Sequence, residues 1–161
     1  MEDGKVYPQE PEMKRIMLDT NIFCRPFDNQ LDYKLKGEAD STLSILSQTT
    51  EGQAEIITSD ILYEEIDLIG DKNKRESVYY LVKAVESERI KTSKLIMDIA
   101  DELHEFIHDY NDCLHIASAG AGKCDLLITC DDELLKRKNK IESFLLSKGI
   151  MAKVRHPSGC E

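Results

Sequence analysis

The stretch DCLHIASAGAGKCDLLITCDDELL, residues 112–135, decides the fold through its lengths. Its first part, Asp112 to Ala121, carries helical spacing, and LLIT at 126–129 is a short apolar run of the kind that forms a buried strand. A GKCD turn joins the two. Nine helical residues cover about 14 Å at ~1.5 Å each, and the return along five strand residues covers about 17 Å at ~3.3 Å each. The helix start with Asp112 therefore comes back beside the strand end with Asp131. A helix that hands the chain to a buried strand over so short a turn belongs to an alternating α/β arrangement.

Outward from that stretch the alternation continues. RIML, 15–18, is an apolar run that stops at Asp19, with Thr20 and Asn21 behind it; AEIITS, 54–59, is a second strand and MAKVR, 151–155, a last one. Helical spacing fills 31–49, interrupted by Gly37, and 60–69, with Ser59 or Asp60 as N-cap and Gly70 as a stop. It returns at 74–87 and 93–108, and in a short Lys-rich helix after Asp131. The expected architecture is α/β, with a mostly parallel central sheet of four to five strands. In such sheets ligands sit outside the carboxyl ends of the strands. Residues 1–13, with Pro8 and Pro11, read as a flexible lead-in, and 14–161 as a single domain.

The chain has 161 residues, enough for one core, and 21 Lys plus Arg against 31 Asp plus Glu, a formal charge of -10. That balance excludes a broad electrostatic nucleic-acid binder. No apolar run reaches the ~18 residues of a membrane helix. The opening MEDGKVYPQEPEMK is polar and acidic, unlike a signal sequence, so a soluble cytoplasmic protein with no membrane contact is expected. Five cysteines with no CxxC pair exclude a disulfide framework or a zinc knuckle. Four of them sit among apolar or small neighbours and read as ordinary buried thiols.

Most acids are bland. In the helix near 94–108, Asp98, Asp101, Glu102 and Glu105 lie opposite an apolar stripe and are solvated. Four others are out of place. The wheel of the 60–69 helix puts Glu65 inside the arc of Ile61, Leu62, Ile66, Leu68 and Ile69, with Glu64 outside it, and a core-facing carboxylate is costly without compensation. Asp19 and Asp131 project from the ends of interior strands, and Asp112 returns beside Asp131. Convergence of these four would make a hard divalent cation, Mg²⁺ or Mn²⁺, the natural relief of their repulsion. Such an ion supports hydrolysis of phosphodiesters. Thr20, Asn21 and Thr129 stand beside the acids as hydrogen-bonding partners. Glu64 and Asp132 are neighbours that could substitute for Glu65 and Asp131.

On IMLDTNIF (16–23), IITSDILYEEI (56–66) and the 112–135 stretch, the chain resembles the PIN-domain family of metal-dependent ribonucleases, especially the VapC-like toxins of toxin–antitoxin pairs, over about 14 to 156. The resemblance implies a three-layer sandwich with helices on both faces of the sheet. It assigns the family's metal-binding and catalytic acids to Asp19, Glu65, Asp112 and Asp131. It also implies cleavage of single-stranded RNA to a 5′ phosphate and a 3′ hydroxyl, frequent homodimers, and an antitoxin that blocks the site. Arg25 and the KRKNK run, 136–140, are candidates for holding RNA, and His115 reads as helix packing. The competing readings are a non-cutting PIN-like module that binds RNA or protein, and a receiver-type phosphoacceptor domain. A dehalogenase-like phosphatase would need an Asp where Asn21 stands.

Overall fold

The computed structural model describes Gly4 and residues 13–159, so the lead-in expected over 1–13 lies almost wholly outside the described residues. Five strands form one all-parallel sheet, β1 (Lys14–Leu18), β2 (Ala54–Ser59), β3 (Glu86–Ile90), β4 (Leu126–Ile128) and β5 (Lys153–Arg155). Their spatial order is β3-β2-β1-β4-β5. That order differs from the 2-1-3-4-5 arrangement of receiver domains. β1 is central, with Ile16 opposite Ile56 of β2 and Leu126 of β4.

Among the described residues eight α-helices cover the sheet: α1 (Thr20–Cys24), α2 (Tyr33–Thr50), α3 (Asp60–Asp67), α4 (Lys72–Val85), α5 (Lys94–Leu103), α6 (Tyr110–Ala121), α7 (Asp132–Lys136) and α8 (Lys138–Ser147). They divide between two faces. Because successive strand side chains point to opposite sides, Ile16, Leu18, Ile56 and Ile128 face one core with Ile22 and Phe23 of α1, Ile45 of α2, Leu62 and Ile66 of α3, and Val78 and Val82 of α4. Met17, Ile57, Leu127 and Val154 face the other, with Ile96, Ile99 and Leu103 of α5, Ile116 of α6, Leu134 of α7, and Ile141 and Leu145 of α8. Strands buried on both sides are continuous apolar runs for that reason, and burying each such Ile, Leu or Phe contributes roughly 1.5–3 kcal/mol.

Local signals start most of the helices. Asp32, Ser59, Asp71, Ser93, Asp109 and Asp131 each accept hydrogen bonds from backbone N–H groups of the first turn of α2 to α7 in succession. Such a cap contributes about 1 kcal/mol. Several sequence expectations change, among them the helix read over 93–108, which ends at Leu103, and the single short helix after Asp131, which is two. α2 runs straight through Gly37, because Glu38, Ala39, Thr42, Ile45 and Leu46 bury one of its faces and outweigh the ~1 kcal/mol a helical glycine costs. The helix expected over 74–87 ends at Val85, and ESERI turns at once into β3. This edge strand carries no apolar run to announce it. Its anchor is Glu86, whose Oε1 accepts hydrogen bonds from the hydroxyls of Thr58 and Tyr63.

Chain order runs outward from β1 through β2 to β3, then crosses back to β4 on the other side. The carboxyl ends of β1 and β4 therefore flank the point where the winding reverses, where open α/β sheets bind ligands. Asp19 and Asp131 follow those two strand ends. Cys24, Cys113, Cys124 and Cys130 are buried free thiols, and Cys160 lies outside the described residues. Among the described residues no helix is long and apolar enough to cross a membrane.

Candidate metal centre

Asp19 is the hub. It is 5% exposed, and its Oδ1 caps α1 by accepting a hydrogen bond from Thr20 N at 2.7 Å. Its Oδ2 accepts from Thr129 Oγ1 at 2.8 Å and from Asn21 Nδ2 at 3.3 Å. Asn21 Oδ1 in turn accepts from Cys130 N at 3.2 Å, which ties the turn after β1 to the turn after β4. Thr20, Asn21 and Thr129 thus fix Asp19 against the chain leading to Asp131, whose own N–H donates to Thr129 Oγ1 at 3.0 Å.

Glu65 approaches from α3, which packs against α6. Its Oε1 accepts a hydrogen bond from Thr20 Oγ1 at 2.8 Å and is bonded to Nε2 of His115. The side chain is 28% exposed, whereas Glu64 on the outer side of the same turn is exposed to solvent. His115 is only 1% exposed, and its Nε2 also lies 3.4 Å from Asp19 Oδ1. It is an ion partner wedged between two carboxylates, not simple helix packing. Burial alone would lower its pKa, but Asp19 and Glu65 outweigh that and raise it, which favours imidazolium. Burial likewise works against ionisation of Glu65, yet His115, Thr20 and Asn111 hold its carboxyl below the ordinary value.

Asp112 and Asp131 come together at a separate cavity of about 190 Å³, which they line with His108, Asp109, Glu133 and Arg137. Burial first, and then the charges of Asp19, Asp109 and Asp131, push the Asp112 carboxyl up to about 7. Asp131 also caps α7, its Oδ1 accepting from Glu133 N at 2.8 Å and Leu134 N at 3.4 Å. Asp132 points away, exposed and 3.8 Å from Lys34. A cavity of about 600 Å³ lies elsewhere, at the amino ends of β4 and β5 among Leu95, Ile99, Ala121 and Ile150.

The structure thus brings Asp19 and Glu65 together through His115, and sets Asp112 beside Asp131 on one cavity, with Asp112 feeling the charge of Asp19. Ligand atoms of Asp19, Glu65 and His115 all lie within 4.8 Å of one another. Burial first, and then the nearby acids, push Asp112 up to about 7, and a hard divalent cation among these oxygens would offset both. Sequence reasoning missed Asp109, Asn111 and the charge role of His115. Arg25 is corrected as well: its guanidinium is spent on Glu38 at 2.9 Å and Asp28 at 3.0 Å, with little surface left for RNA. Of the KRKNK run, Arg137 borders the acidic cavity.

The family model described as "PIN domain" matches residues 16–140. No curated protein matches significantly. Among solved structures, the chain is similar to one described as "Crystal structure of VapBC2 from Rickettsia felis bound to a DNA fragment from their promoter". The TM-score is 0.52 at 20% sequence identity, over 76% of this chain and 92% of that one, a likeness of fold.

Proposed function

Because this chain belongs to the PIN domain family, we propose that it is a Mg²⁺- or Mn²⁺-dependent endoribonuclease that hydrolyses phosphodiester bonds of single-stranded RNA. We place it in the cytoplasm as the toxin of a toxin–antitoxin pair, working as a homodimer and held in check by an antitoxin protein. The toxin assignment takes its support from the fold it shares with a chain of the VapBC2 complex. The observation that carries the nuclease reading is the meeting of Asp19 and Glu65, with ligand atoms within 4.8 Å of each other, while Asp112, on a cavity it shares with Asp131, feels the charge of Asp19.

Asp19, Glu65, Asp112 and Asp131 would hold the metal, which when bound supplies an activated water and neutralises charge building on the phosphate. The chain's own residues prepare the place. Thr129 and Asn21 orient the Asp19 carboxylate through Oδ2, and Thr20 holds Glu65 through Oε1. His115, its pKa raised by Asp19 and Glu65, stands between the two carboxylates and holds them in place. Asp112, with a carboxyl that titrates near neutrality, can keep or release a proton at physiological pH. Arg137 at the rim offers the positive charge that an RNA phosphate needs in an otherwise acidic surface.

The non-cutting reading has one observation in its favour, His115 already supplying a cation between Asp19 and Glu65. Incubation of the purified protein with single-stranded RNA separates the two. Cleavage with Mg²⁺ or Mn²⁺ to 5′-phosphate and 3′-hydroxyl ends is expected, abolished by chelator and by Asp19→Asn with circular dichroism unchanged. Wild-type protein that binds RNA without cutting it in either metal establishes the non-cutting module instead.

A further inference from the structure

A second set of ligand-type side chains stands beside the acidic centre, assembled from three elements far apart in the sequence. Glu38 belongs to α2, Cys130 follows β4 and His156 follows β5. The Cys130 sulfur, a ring nitrogen of His156 and a carboxylate oxygen of Glu38 all lie within 4.8 Å of one another. Glu38 is 3% exposed and Cys130 6%, so the set is walled off from bulk water on two sides. No local Cys/His spacing marks it, which is why the sequence reads as lacking a zinc motif.

We propose that Glu38, Cys130 and His156 form a binding site for a zinc-class transition metal, chemically distinct from the all-carboxylate centre. Sulfur, nitrogen and oxygen donors together suit Zn²⁺ and disfavour Mg²⁺. Three protein ligands leave a fourth tetrahedral position for water. Zinc bonds of ~2.0–2.3 Å require ligand atoms about 3.4–3.6 Å apart, so the present cluster needs adjustments of about 1 Å. His156 Nε2 and Glu38 Oε2, now 2.8 Å apart, would open to admit the ion, and the thiol proton of Cys130 would leave to solvent.

The surroundings already hold the ligands as a metal site requires. Ser158 N–H donates to His156 Nδ1 at 3.2 Å and Ser158 Oγ lies 2.7 Å from it, so turning Nε2 to a metal shifts the ring's remaining proton to Nδ1, where Ser158 Oγ can accept it. Arg25 Nε donates to Glu38 Oε1 at 2.9 Å, which leaves Oε2 as the coordinating oxygen. The charges balance, because thiolate and carboxylate match a divalent ion and Asp28 compensates Arg25 at 3.0 Å. A metal here clamps α2 to the segments after β4 and β5. Cys130 immediately precedes Asp131, so the clamp fixes the turn that delivers Asp131 to the acidic centre.

Cobalt titration of chelator-stripped full-length protein tests this, since only a site with a cysteine gives a thiolate-to-Co²⁺ charge-transfer band beside tetrahedral visible bands. One equivalent should develop the band, and stoichiometric Zn²⁺ should erase it. Cys130→Ser should abolish the band. His156→Ala and Glu38→Gln should weaken Zn²⁺ at least ~10-fold, with His156→Ala, at a partly exposed ring, safeguarding the result if a buried substitution unfolds. Asp19→Asn and Asp112→Asn should leave the band intact. A wild type without the band, a band that survives Cys130→Ser, or unchanged Zn²⁺ affinity in folded His156→Ala would overturn the proposal.

Discussion

Asp112→Asn should make the metal-free protein more stable at alkaline pH, although it removes a site acid. The Asp112 carboxyl titrates at about 7 in the folded chain against an ordinary 3.8, through burial and then the charges of Asp19, Asp109 and Asp131. An acid whose value rises on folding contributes stability that is fully present below about pH 4 and is lost as the pH climbs through 7. Keeping it ionised at about pH 8 costs at most ~4 kcal/mol. Water in the open cavity screens much of this. Asp112 also sits in the first turn of α6, where a negative charge gains ~0.3–1 kcal/mol that Asn forfeits. A net gain of ~1–2 kcal/mol remains for the variant, a rise in Tm on the order of 5 °C. Urea melts of chelator-treated wild type and variant should nearly coincide at about pH 4 and separate at about pH 8, with Asn the more stable. Added Mn²⁺ should stabilise the wild type more than the variant. A variant equal to or weaker than wild type at pH 8 refutes the claim that these carboxylates repel one another.

His115→Gln should show a pH trend of the same sign, with the gap from wild type at low rather than high pH. The histidine's raised pKa means that its contribution is full below about 6.5 and is lost as pH rises through the higher native value; urea melts should show a loss of ~2–4 kcal/mol at pH 6 that shrinks in alkali. Asp131→Asn should keep the α7 cap and its stability while losing RNA cleavage, whereas Asp131→Ala should lose cleavage and a further ~1 kcal/mol in the same melts; an active Asp131→Asn would leave this residue as a cap alone. Glu65→Gln should abolish cleavage and Glu64→Gln leave it unchanged in a gel assay, because only Glu65 turns toward Thr20 and His115; the reverse result would exchange their roles.

Interior strands were readable because a parallel strand covered on both sides carries a continuous apolar run, as IML at 16–18 and LLI at 126–128 do. β3 was not, since an edge strand of Glu, Ser and Arg owes its place to backbone pairing with β2 and to Glu86 beneath two hydroxyls. The helical wheel favoured Glu65 over Glu64, and the fold places the first half-buried and the second in solvent. The family resemblance put His115 in helix packing but could not say that α3 brings Glu65 to meet it. Arg25 looked like an exposed cation because its partner, Glu38, arrives from the next helix. Ion pairs that close over long sequence separation have no local periodicity to betray them. That is equally why Glu38, Cys130 and His156 carry no motif.

The two borders of the sheet bear on how copies of this protein can meet. One border is β3, with Ser87, Glu88 and Arg89 exposed, and the other is β5, only three residues long. An incoming strand would find charge along one rim and almost no length along the other, and both features discourage strand addition. Self-association is thereby steered to the helical flanks, and end-to-end stacking of sheets into fibres is resisted without a dedicated cap.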